Sequence, residues 1–141
     1  MSDFSVFMKG SANACENVKY VASKRFKVKN KPVAWEIKAI DSATDEAIRR
    51  ECTKKIPVNG KRGQFTQELD NDKYIAKICV ACIVFPNLNN AELQDSYGVK
   101  SGEELLKQIL LPGEYTELKA KVMEVNGYDM SMDELVEEAK N

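Results

Sequence analysis

A chain of 141 residues holds one sizeable core and is too short for two ordinary domains, and 43% hydrophobic with 30% charged residues is globular composition, neither disordered nor fibrous. Histidine is absent, which removes the commonest general acid/base and the commonest metal ligand, and with them many enzyme classes. The net charge of -1 conceals an asymmetry, because residues 1–62 carry 14 Lys and Arg against 7 Asp and Glu while residues 63–141 carry 7 against 15.

In chain order, residues 1–18 show weak periodicity; Phe4, Val6, Phe7 and Met8 form an apolar cluster compatible with a short helix or a strand. MSDFSVFMKG has no basic segment followed by an apolar run, so no secretory signal is expected. From Tyr20 to Val28, and again from Val33 to Ala39, apolar residues alternate with polar ones, the period of half-buried strands. Lys29-Asn30-Lys31-Pro32 between them is turn chemistry, with Asn able to adopt positive φ, so the two strands are read as an antiparallel hairpin. Alternation places Trp35 and Phe26 on the apolar face and the neighbouring lysines on the wet one, which argues against base stacking.

Ser42-Ala43-Thr44-Asp45 resembles a capping box, and a helix is expected from about Ala43 to Lys55, stopped by Pro57. Residues 57–69 read as a loop; its Gly60-Lys61 pair is no phosphate-binding loop, since position 55 is Lys and Arg62 stands where Ser or Thr is required. Asp70 or Asn71 caps a helix expected from Asn71 to Phe85, ended by Pro86 and apolar on most sides, hence the central core helix. Three shorter helices follow: one opened by Asn89 and closed by Gly98, one capped by Ser101 with Leu105, Leu106, Ile109 and Leu110 inward, and one from Pro112 to Asn126-Gly127. Ser131 caps a terminal helix with Leu135, Val136 and Ala139 on one face. The expected architecture is α+β, an N-terminal antiparallel hairpin followed by about five helices, mostly helical and in a single domain spanning 1–141.

Chemistry-bearing constellations are scarce. Cys79-Val-Ala-Cys82 has redox or metal spacing, but no second CxxC and no histidine completes a zinc set, and both thiols lie in an apolar helix where cysteine packs as a small hydrophobe. No metal or cofactor is therefore expected. Glu103-Glu104, Asp133-Glu134 and Glu137-Glu138 fall in first turns or on polar faces, where carboxylates serve capping and solubility. The longest apolar run, Ile78 to Pro86, is far below the ~20 residues that span a membrane. A soluble, intracellular, non-enzymatic protein is expected. The charge split suits either a basic nucleic-acid surface or two segments that attract within the domain or between copies, and the total near zero favours the second.

The order of KYVASKRF, VAWEIKAI, RRECTKK, the run from Pro57 to Val99, EELLKQILLPGEY and VEEAKN closely resembles the XkdN-like family of phage tail assembly chaperones over essentially the whole chain. PNLNNAELQDSYGV (Pro86 to Val99) and LLPGEY (Leu110 to Tyr115) are its most specific stretches, whereas the hairpin turn lacks the Asp-Gly type expected there. The resemblance implies an assembly factor of a contractile-tailed phage or defective prophage. Such a factor works in the host bacterial cytoplasm, is absent from the mature virion, and keeps the tape measure protein soluble while tail tube subunits polymerise around it. It brings no catalytic, cofactor or metal residue to carry over. Partner contacts are assigned to Leu118, Val122, Leu135 and Val136, against the alternative that these four are simply core. It further implies a longer form made by programmed frameshifting, and Ala139-Lys140-Asn141 admits the slippery codons GCA AAA AAC. Tail tube protein, that longer form and a weak homo-oligomer are the further partners expected. The competing function is a nucleic-acid-binding phage accessory protein that uses the basic N-terminal half.

Overall fold

The computed structural model describes residues 3–10 and 16–128. It is α+β: a short 3-10 turn (Asp3–Phe7), small antiparallel sheets concentrated in the first half, and five helices. Strand β1 (Val18–Tyr20) pairs antiparallel with β4 (Trp35–Ile37), Tyr20 opposite Trp35 and Val18 opposite Ile37. Trp35 and Ile37 are buried and Glu36 faces outward to Lys19 at 3.5 Å, as the alternation predicts.

The expected strand from Tyr20 to Val28 is interrupted. Only β2 (Lys27–Val28) re-forms it, paired with β3 (Lys31–Pro32) across a two-residue turn in which Lys29 and Asn30 both have positive φ, 51° and 65°. Between β1 and β2 the chain turns inward: Ser23 is buried and its hydroxyl accepts from Arg25 N, while the Arg25 guanidinium donates to the Ile109 carbonyl at 2.7 Å and to Glu114 at 3.0 Å. Two charge-assisted bonds to distant helices replace the ladder bonds that a continuous strand would have made.

Helix α1 (Ser42–Glu51) is capped one residue earlier than expected, by Asp41, which accepts from Thr44 N at 2.8 Å. It also ends earlier. The segment expected to finish this helix is instead β5 (Thr53–Pro57), and the expected loop at 57–69 contains β6 (Phe65–Leu69); the two pair in register from Thr53 opposite Leu69 to Pro57 opposite Phe65. The turn between them holds Gly60 and Gly63 at φ of 78° and 77°, a left-handed backbone that glycine adopts without a Cβ clash. Helix α2 (Asn71–Cys82) begins at Asp70, which accepts from Lys73 N, and stops three residues short of Phe85. The remainder forms β7 (Ile83–Phe85) and completes the order β1-β4-β7, because β-branched Ile83 and Val84 suit a strand and β4 offers an open edge.

Helix α3 (Ala91–Ser96) is capped by Asn90, one residue later than expected, α4 (Gly102–Ile109) by Ser101, and α5 (Pro112–Val125) starts with proline at its first position. Helix α2 is the hub of the core, as its composition implies: Tyr74, Ala76, Ile78, Cys79 and Cys82 are buried, packed among Leu105, Leu106, Ile109, Leu118 and Val122 from α4 and α5. Asn126 closes α5. Its Oδ1 accepts from Ile40 N at 2.9 Å while its Nδ2 donates to the Val122 carbonyl at 2.8 Å and lies 3.3 Å from Cys82 Sγ. The terminal helix expected after Ser131 lies outside the described residues.

Candidate interaction surfaces

The two cysteines of the CxxC spacing sit on α2 and are fully buried. Burial, and then the neighbouring Cys82, push the Cys79 thiol up to about 12, so it stays protonated and unreactive at neutral pH. No group of three Cys, Asp or Glu side chains converges as a metal-ligand set among the described residues. A part-buried polar cluster joins α1 to α2: the Tyr74 hydroxyl donates to Asp45, Arg49 donates to the Tyr74 oxygen at 3.1 Å, and the guanidinium lies 4.6 Å above the Tyr74 ring. Burial first, and then the Asp45 carboxylate, raise the Tyr74 pKa, which keeps the phenol protonated and makes this a structural tie.

A groove of about 530 Å³ runs between the start of α2 and the outer side of α5. Ile75, Tyr115, Ala120 and Met123 supply its apolar lining, and Lys107, Lys119 and Asp72 its charges. Tyr115, Lys119 and Met123 recur at every fourth position, so one α5 face carries all three. The Lys119 ammonium lies 4.7 Å from the Tyr115 ring centre, leaving the lysine stem over the aromatic and its charge at the rim. Burial, with Cys79 and Asp72 adding, pushes the Tyr115 phenol up to about 12, so the groove presents a neutral hydroxyl.

Of the four partner residues assigned from sequence, Leu118 and Val122 lie on the inner face of α5 with 0% exposure, inside the core; Leu135 and Val136 lie outside the described residues. The groove-facing stripe on α5 was legible as Tyr115, Lys119 and Met123 at spacing four, but a lysine within it hides it from any count of apolar positions. Apolar surface is also exposed elsewhere, at Phe4, Phe7 and Met8 of the N-terminal turn, at Val84 and Phe85 on the β7 edge, and at Ile56 and Phe65 on the β5–β6 hairpin. The basic first half is partly neutralised within the fold by Lys19–Glu36, Arg25–Glu114, Arg49–Asp45 and Lys54–Asp70 pairs. No helix among the described residues is long and apolar enough to cross a membrane.

Comparison with known proteins gives a consistent result. A family model described as phage XkdN-like tail assembly chaperone protein matches residues 4–140. The uncharacterized protein YqbN of Bacillus subtilis (strain 168) is 36% identical over 141 residues, covering 99% of this chain and 93% of that protein. The phage-like element PBSX protein XkdN of the same strain is 30% identical, covering 99% and 94%. The crystal structure of YqbN superposes with a TM-score of 0.77 at 30% identity, over 92% of this chain and 99% of that one.

Proposed function

Because the chain belongs to the XkdN-like family of phage tail assembly chaperones, we propose that it acts as a single-domain, non-enzymatic chaperone that binds the tape measure protein of its phage or prophage during tail assembly. A long helical client exposes apolar stripes that aggregate unless covered, and an amphipathic helix is recognised by laying its i, i+3, i+4 and i+7 side chains into an apolar groove. The observation that carries this reading is the groove between α2 and α5, whose apolar lining and lysine rim suit a helix with acidic flanks. Leu118 and Val122 act from the inner side of α5 by holding that helix against the core, and Leu135 and Val136, outside the described residues, are further client contacts in this reading. The tail tube protein and a frameshifted longer form are further partners, and the work is done in the host bacterial cytoplasm by a protein that leaves before the virion is complete.

Co-expression with the tape measure protein of the same genome tests this. The expected result is a larger soluble fraction of the client and its co-purification with the chaperone, both reduced several-fold by Lys119→Glu at the groove rim. A client whose solubility is unchanged and which does not co-purify with the wild-type chain overturns the proposal; co-purification that Lys119→Glu leaves intact moves the contact away from the groove.

A further inference from the structure

The β5–β6 hairpin has a role that packing does not explain. Among the described residues its strands pair with each other and join no other sheet, and most of its residues are exposed on both faces. A two-stranded ribbon of this kind is at best marginally stable in water and gains by being covered. Cross-strand register puts Lys55, Pro57, Phe65 and Gln67 on one face, with Phe65 59% exposed at the end of the ladder. Lys61 and Arg62 lie in the turn beyond, and among the described residues neither they nor Lys55 form an ion pair. The arm therefore carries three cations without an ion pair among the described residues and an exposed aromatic residue at the turn end of its ladder.

The matching chemistry lies on the same chain. Helix α3 carries Glu92 and Asp95 three positions apart and no base; both are exposed and unpaired among the described residues, and Tyr97 at the helix end is partly exposed. We propose that the β5–β6 arm of one copy docks on α3 of a second copy, Lys55, Lys61 and Arg62 meeting Glu92 and Asp95 while Phe65 packs beside Tyr97. Unpaired cations at one site and unpaired carboxylates at another make a head-to-tail contact between copies, a different geometry from a self-complementary dimer patch. Nucleic acid is the other polyanion such an arm could meet. Three free cations would neutralise about three phosphates, a weak and sequence-blind attachment, and they give Phe65 no defined partner.

Sedimentation velocity on the full chain, at low and high salt over a concentration series, tests the contact. Expected is association at low salt that weakens at high salt, and a rise of at least tenfold in the dissociation constant for either Lys61→Glu/Arg62→Glu or Glu92→Lys/Asp95→Lys, each with wild-type circular dichroism. The two variants mixed together restore the association that each lost, because the intact arm of one faces the intact helix of the other. A wild-type chain that stays monomeric throughout overturns the proposal, as does a mixture that stays monomeric. Arm variants that lose DNA binding in a gel shift while self-association persists overturn it in favour of nucleic acid.

Discussion

Gly102→Ala should destabilise the protein although alanine is the better helix former. Gly102 is the first residue of α4, with ordinary helical backbone, where Gly→Ala usually gains about 0.4–1 kcal/mol by restricting the unfolded chain. Here the added Cβ would lie 2.9 Å from Val80 Cγ1 and 3.2 Å from Asn89 Oδ1, inside the normal contact distance. Val80 has a branched Cβ and few rotamers, so it cannot swing aside, and overpacking of this kind costs roughly 1–3 kcal/mol. The steric effect wins by about 1–2 kcal/mol. Urea unfolding followed through Trp35, the single tryptophan, measures it. The same substitution in a Val80→Ala background should cost clearly less, since the 2.9 Å contact is gone and only Asn89 Oδ1 at 3.2 Å remains to give way. A Gly102→Ala protein as stable as wild type, or a cost undiminished in the Val80→Ala background, refutes the reasoning.

Cys79→Ala/Cys82→Ala should lower stability by about 1–3 kcal/mol through lost packing and leave client binding unchanged; in the native protein both thiols should resist alkylation, and stoichiometric zinc after purification would contradict their assignment as core. Glu114 is held at about 2, below its ordinary 4.5, by the Leu111 backbone N–H first, then the Ser23 hydroxyl and the Arg25 guanidinium. A carboxylate with a depressed folded-state pKa contributes stability that is present above pH 4.5 and lost as pH falls toward 2, so Glu114→Gln should flatten the acid limb of a melting-temperature profile in that window. An unchanged slope there would show that these partners do not favour the charged form.

What could be read from the chain before its structure was largely local chemistry. Asp70 and Ser101 announce their helices because an N-cap needs only a side chain and the next three amides, and the Asn30 turn was legible for the same reason. The β5–β6 hairpin is not legible in the sequence because a ribbon exposed on both faces has no apolar side, so the period-two signal that marks a strand is absent; Asn59-Gly60 is the surviving clue. The end of α2 differs from the sequence expectation because an apolar run such as Ile78 to Phe85 fits a buried helix or a buried strand equally, and only the open edge of β4 decides. At the candidate site, apolar spacing on α5 marks Leu118 and Val122 as partner contacts, but the structure buries both in the core; sequence cannot say which flank of a helix its neighbours leave uncovered, and the groove is that flank.

The side chain of Asn126 gives the fold a built-in reporter. The Ile40 amide, 86 positions away in sequence, donates to it, so that proton is shielded only while α5 is seated. Amide hydrogen exchange at this one site therefore measures the free energy of lifting α5, separately from global unfolding if the helix opens as its own unit. A ligand in the neighbouring groove that clamps α5 would slow exchange at Ile40 without touching it, and one that pries the helix loose would speed it.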